Sequence, residues 1–304
     1  MRMLLVLLTL LSLSQPLQAQ KLKLLDTYPT FAGQDVSLQS VLGSKPVYLK
    51  FWATWCLDCR RDLPSLEKTY QQYHHDIAMY AVNLNINETD DAIRQLQQES
   101  GLTMPIVIDQ HGSIASNFNF VGTPFHVLIN TSGEVVYTTY RDDAKLAFKL
   151  EQLATGKKVE VSIEEVNDQP EQPVDNIVSK NGTSLVYFSA VWCDTYMLNV
   201  EASIASNCIN AIQTINQLFA NQPQLNMQAY VTHLWTQDSD LADYQQRLKI
   251  PYVVKMDNQN KLFQHYQAKG YPTLIVLKQG KEVARFSDFS QPQEVLSKLQ
   301  AYFN

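Results

Sequence analysis

The chain has 304 residues, of which 45% are hydrophobic and 18% charged. That is enough apolar material for two packed cores, and it argues against a disordered chain. With 24 Lys and Arg against 30 Asp and Glu, the net charge of −6 argues against nucleic-acid binding, because nothing neutralises a phosphate backbone. Four Cys are too few for a small disulfide scaffold.

Residues 1–19 have the pattern of a cleaved secretory signal. Met1-Arg2-Met3 is a short basic start. Leu4 to Leu13 is apolar apart from Thr9 and Ser12, and Leu17-Gln18-Ala19 ends on a small residue. The run is shorter than the ~20 residues that span a bilayer. The chain is therefore expected outside the cytosol, where disulfides persist.

From there the chain alternates strands and helices. Strands are expected at Val47–Trp52, Ile77–Leu84, Pro105–Ile108, Phe125–Ile129 and Glu134–Thr138. Helices are expected after Cys59 (Leu63, Leu66, Tyr70), at Asp90–Glu99 and at Ser113–Phe118. The turn Asn130-Thr131-Ser132-Gly133 makes the last two strands a hairpin. A polar stretch follows, Asn167-Asp168-Gln169-Pro170-Glu171-Gln172-Pro173, and reads as a linker.

The second half repeats the order. Strands are expected at Ser184–Ser189, Gln228–Leu234, Pro251–Met256, Thr273–Leu277 and Glu282–Phe286. Helices are expected through Ile209, Ile212, Ile215 and Phe219, at Ser239–Leu248 and at Asn260–Tyr266. The fold class is α/β, with two tandem domains, each a central mixed sheet flanked by helices.

The chemistry sits in Trp55-Cys56-Leu57-Asp58-Cys59. Two Cys separated by two residues, after a strand and opening a helix, can close a small disulfide ring. The first thiol lies at a helix N-terminus, where amide dipoles favour thiolate. The second can attack a mixed disulfide made by the first. A structural zinc site lacks a second close pair. Haem attachment needs His where Arg60 stands. A purely structural disulfide stays open.

Phe51-Trp52-Ala53-Thr54-Trp55-Cys56-Leu57-Asp58-Cys59 resembles the active site of thioredoxin-fold proteins, in particular the exported TlpA-like thiol–disulfide oxidoreductases. Gly122-Thr123-Pro124 resembles their cis-proline loop, which faces the disulfide and binds substrate backbone. Pro64 matches the proline that kinks the active-site helix. The resemblance implies Cys56 as nucleophile, Cys59 as resolving thiol, Trp55, Asp58, Thr123 and Pro124 as supporting residues, and a cis bond before Pro124. It implies a periplasmic thioredoxin-like domain over residues 20–165; the polar stretch places the linker at 166–174, and the repeated order makes 175–304 a divergent second copy. It further implies protein thiol or disulfide substrates and a membrane-bound electron donor. The dithiol carries the electrons, so no organic cofactor and no metal is expected.

Two residues bear on direction. A carboxylate at Asp58 disfavours thiolate and makes the pair more reducing, unless Asp58 only caps a helix turn. Lys50 departs from the family pattern, which has a buried acid or Asn six residues before the first Cys. It either snorkels outward or acts on a thiol through its charge. His126 reads as a core histidine.

Phe188-Ser189-Ala190-Val191-Trp192-Cys193 repeats the pattern F-x-A-x-W-C, with Tyr196 where a second Cys would stand. Cys208 is the remaining candidate. Cys59 precedes Pro124 by 65 residues, and Cys208 precedes Pro272 by 64. Ile212, Ile215 and Phe219 follow Cys208 at the offsets that Leu63, Leu66 and Tyr70 keep from Cys59. Asp194–Asn207 reads as an inserted loop, with Ser206-Asn207 capping a helix that starts at Cys208. A continuous helix would hold the two Cys ~22 Å apart, so a Cys193–Cys208 disulfide requires a break. Tyr271-Pro272 resembles a second cis-proline loop.

The expected function is an exported thiol–disulfide oxidoreductase that reduces protein disulfides, with the second domain as relay or docking module. Three readings remain open at this point: a disulfide oxidase or isomerase, a stapled binding module, and a metallochaperone holding copper(I) with Cys193, Cys208 and His233. The oligomeric state is not legible.

Overall fold

The computed structural model describes residues 22, 26–118, 120–164 and 182–303. The signal at 1–19 and the linker at 166–174 lie outside the described residues. A two-stranded ribbon, β1 (Tyr28–Pro29) and β2 (Asp35–Val36), precedes the short helix α1 (Leu38–Val41). The first domain continues β3 (Val47–Trp52), α2 (Leu57–Tyr73), β4 (Ala78–Asn83), α3 (Asp90–Ser100), β5 (Ile106–Ile108), β6 (Phe125–Ile129), β7 (Val135–Thr139) and α4 (Ala144–Ala154). The second runs β8 (Thr183–Ser189), α5 (Ala202–Asn221), β9 (Asn226–Thr232), α6 (Asp238–Arg247), β10 (Val254–Asp257), α7 (Lys261–His265), β11 (Thr273–Lys278), β12 (Lys281–Phe286) and α8 (Pro292–Gln300).

The two sheets share one topology. Their strand orders are β5-β4-β3-β6-β7 and β10-β9-β8-β11-β12. In each, the first three strands are parallel and the last two antiparallel. This is the mixed sheet of a thioredoxin-like domain, present twice.

The central strand explains the packing. All six residues of β3 are buried, so both faces of the sheet are covered and the strand reads as an apolar run. Val47, Leu49 and Phe51 face one cluster with Val82, Val107 and Val127. Tyr48 and Trp52 face the other with Leu63 and Leu66 of α2. Burying each such side chain is worth about 1.5–3 kcal/mol. The second of these clusters also takes in Phe188, Cys193, Cys208 and Tyr271, so one apolar core runs through both domains.

Several expectations are corrected. The helix expected at Ser113–Phe118 is two 3-10 turns, Gln110–Gly112 and Ala115–Asn117. The buried Asp109 carboxylate accepts the Ile114 and Ala115 N–H groups, both at 2.8 Å, and fixes the chain there without an α-turn. The closing helices α4 and α8 were not anticipated. Asp143 caps α4, and Pro292 opens α8, both ordinary start signals. Helix α5 starts at Ala202, six residues before Cys208 rather than at it. Ser206 and Asn207 do not cap it. Ser206 donates back to the Ala202 carbonyl, and Asn207 bonds the backbone of Ser287 and Phe289. The expected loop shrinks to a 3-10 turn, Met197–Asn199, and a non-helical Glu201.

Candidate active site

Cys56 follows β3 by a tight turn in which its N–H donates to the Ala53 carbonyl at 3.2 Å. It is the N-cap of α2, and its Sγ accepts the Cys59 N–H at 3.2 Å. The two form a disulfide with Cα atoms 5.2 Å apart. Trp55 donates its Nε1–H to the Ile86 carbonyl at 2.7 Å, which fixes the ring beside the pair. The peptide bonds before Pro124 and Pro272 are both cis. Thr123 is buried.

The turn that carries the pair is held by a carboxylate the sequence did not single out. Glu88 accepts from Thr54 N–H and Thr54 Oγ1, both at 2.6 Å, and from Asn83 Nδ2 at 3.0 Å. Burial outweighs these bonds and raises its pKa from the usual carboxylate range to about 7.

Behind the pair, Lys50 does not snorkel. It points to the α2 side of the sheet with 0% exposure, and its ammonium meets Asp62 at 3.0 Å. Burial pulls its pKa down, and the Asp62 charge pushes it back up. His126, opposite Lys50 in the register of β3 and β6, shares a 2.7 Å hydrogen bond with Tyr48 and is also buried. Burial first and the Lys50 charge second hold its pKa well below the usual histidine value. Asp62 was missed because its role depends on a strand twelve residues earlier.

Asp58 lies in the first turn of α2, but it is exposed and paired with Arg61. The cation offsets the carboxylate and water screens it, which weakens the argument for a reducing pair that rested on Asp58.

Comparison with known proteins fits this geometry. Residues 17–138 match the model of the AhpC/TSA family. This part of the chain is similar to the AhpC/TSA family. It is 36% identical over 107 residues to the thioredoxin-like protein YneN of Bacillus subtilis, covering 35% of this chain and 62% of that one. It is 33% identical over 104 residues to the thiol-disulfide oxidoreductase ResA of Halalkalibacterium halodurans, covering 34% and 58%. Among solved structures, StoA from Bacillus subtilis is 26% identical and covers 42% of this chain and 92% of its own, with a TM-score of 0.36. The chain spans about three-fifths of the length of these curated relatives.

Outside the AhpC/TSA match, the second domain carries the disulfide Cys193–Cys208, with Cα atoms 6.2 Å apart. The turn at Met197–Asn199 and the non-helical Glu201 supply the break that the pairing needs. Both sulfurs are buried. The oxidised form gives the copper reading no support. The two thiols are joined to each other, and His233 Nε2 faces the Phe120 carbonyl at 3.0 Å. Among the described residues no three His, Cys, Asp or Glu cluster as metal ligands.

The raised pKa of Glu88 in the first domain has a consequence for stability. An acid whose folded pKa lies above its unfolded value binds more protons when folded. It stabilises below the unfolded value and loses that contribution as pH rises through the folded one. Stability is therefore expected to fall from pH 4.5 to about 7 through this group. Glu88→Gln keeps an acceptor for Thr54 and cannot ionise. Its unfolding midpoint is expected to vary less than the wild type's between pH 5 and 8, and identical profiles would refute the assignment.

Proposed function

We propose that this chain is an exported thiol–disulfide oxidoreductase that reduces disulfides in periplasmic proteins through Cys56 and Cys59. The observation that carries the reading is the placement of Cys56 as N-cap of α2, with Cys59 closed against it one turn on. The AhpC/TSA match and the names of the relatives support it. The signal-like residues 1–19 support export. Among the described residues no helix is long and apolar enough to cross a membrane.

In the reduced chain, the Cys56 thiolate attacks one sulfur of the substrate disulfide. A Cys56–substrate bond forms, and the other substrate sulfur leaves as a thiolate that takes a proton. Cys59 loses its proton and attacks Cys56 Sγ. The Cys56–Cys59 bond closes, and the second substrate thiol departs. Two electrons have passed to the substrate, and a membrane-bound dithiol donor restores the pair. No organic cofactor takes part.

Reduction is favoured over oxidation because neither residue between the cysteines, Leu57 or Asp58, can donate to a thiolate or carry positive charge. An oxidase or isomerase is the second reading, supported by the Arg61 cation beside Asp58. The second domain is read as a docking module rather than a relay, because its Tyr196 and Trp235 pack over the Cys56 face. Its disulfide closes a loop of 15 residues, worth ~3 kcal/mol in the chain-entropy account. The test is turnover of insulin disulfides by the full chain with a small dithiol as donor. Turnover no faster than with the dithiol alone would end the proposal.

A further inference from the structure

The two domains meet through a pseudo-twofold set of contacts that occupies the face around Cys56. In the first domain, Trp55 donates to the Ile86 carbonyl, and the next residue, Asn87, has φ 52°. In the second, Trp192 donates to the Leu234 carbonyl at 2.9 Å, and the next residue, Trp235, has φ 50°. Each of these two residues then reaches across. Asn87 N–H donates to the Lys269 carbonyl at 3.0 Å, three residues before Pro272. Trp235 N–H donates to the Val121 carbonyl at 2.6 Å, three residues before Pro124. Asn87 adds a pair of 2.7 Å side-chain bonds to Tyr271 N–H and O.

The residues two before each proline are glycines, and the partner domain explains both. A Cβ on Gly270 would stand 3.1 Å from Asn87 Oδ1. A Cβ on Gly122 would stand 2.4 Å from the Trp235 ring. That ring lies edge-on to Trp55 and Trp192, with centroids 5.4 and 5.5 Å away. Tyr196 completes the cover. Its hydroxyl donates to the Trp55 carbonyl and accepts the Leu57 N–H, both at 3.1 Å, so it bridges the backbone on either side of Cys56. Cys56 is left 4% exposed.

We infer that the second domain is a tethered occupant of the first domain's substrate face, and that the domains part before Cys56 meets a protein disulfide. A substrate chain needs an open path to Cys56 Sγ and backbone groups beside it. The Val121 and Trp55 carbonyls and the Leu57 N–H lie on this face, and the second domain takes all three. Because the occupant belongs to the same chain, it returns at high effective concentration and competes with every substrate. Trp235, Tyr196 and Asn87 thereby set which substrates are admitted, favouring those that bind tightly enough to displace them. The inference rests on the proposed role of Cys56 as the attacking thiol.

The test uses the full chain reduced by a small dithiol, with Gly122→Ala and Tyr196→Phe as separate variants. The three nearest atoms to the Gly122 Cβ all belong to Trp235, so Gly122→Ala strains the contact between domains. Tyr196→Phe removes the bridge over Cys56, and circular dichroism reports whether each variant folds. Two rates are read: alkylation of Cys56 by iodoacetamide, mapped by mass, and amide hydrogen exchange at Asn87 and Trp235. Both are expected to rise by ~10-fold, because a lost hydrogen bond or a forced contact weakens the clasp by that order. Folded variants with unchanged rates would overturn the inference, as would faster exchange without faster alkylation. If both rates rise and no form reduces insulin, the occlusion stands and the proposed reductase activity fails.

Discussion

Cys56→Ser is expected to lower turnover of a protein disulfide by at least ~1000-fold, because a serine hydroxyl is not ionised near neutral pH and cannot replace the attacking thiolate. The background is the uncatalysed exchange between the small dithiol and the substrate. Cys59→Ser is expected to fail differently. Attack by Cys56 proceeds, but nothing resolves the product, and a mixed disulfide with substrate accumulates. Non-reducing electrophoresis and mass mapping of the trapped peptide read this directly. If Cys56→Ser turned over at the wild-type rate, or if Cys56→Ser trapped substrate on Cys59 while Cys59→Ser trapped none, the roles would be wrong.

Asp62→Leu is expected to destabilise the chain by about 3 kcal/mol, the low end for removing one partner of a buried ion pair. Lys50 is fully buried, so without Asp62 it must either hold an unpartnered charge or give up its proton, and both cost stability. The low end applies because Asp62 is 24% exposed on its side chain and Asp142 also acts on the Lys50 charge. Lys50→Met is expected to cost far less, since a buried pair replaced by apolar groups is often neutral. The double variant is expected to recover most of the loss. Denaturant unfolding measures all three, and equal losses in the two single variants would contradict the uncompensated-charge account.

Much of the fold was legible because it rests on local pattern. The apolar run of β3 and the hairpin turn at Asn130–Gly133 are signals within a few residues. The matched offsets after Cys59 and Cys208 pointed to paired helices, and both are present as α2 and α5. The start of α5 was misread because Ser206 and Asn207 are good caps by type. In the fold their side chains are used elsewhere, one within the helix and one against the chain before α8. Helices α4 and α8 each follow a hairpin and lie outside the repeated strand–helix pattern that the sequence shows.

The site divides the same way. The CxxC pair and the two prolines stand in the sequence, but their surroundings do not. Lys50 was ambiguous because its fate depends on Asp62, and Asp58 was weighed without Arg61. The cover over Cys56 was not legible at all. Tyr196 meets Trp55 across 141 positions of sequence, and Asn87 meets Tyr271 across 184. Contacts of that separation leave no periodicity. The only trace was the repeated Trp-Cys pair and a Tyr standing where a second Cys would complete the motif.

The central claim is that Cys56 and Cys59 form a reducing pair. The most direct test is a redox titration of the full chain, with alkylation and mass mapping of all four Cys. A midpoint for Cys56–Cys59 near the thioredoxin value of ~−270 mV is the predicted result. A midpoint near ~−120 mV, that of a strong oxidant, would contradict it and turn the direction of electron flow around.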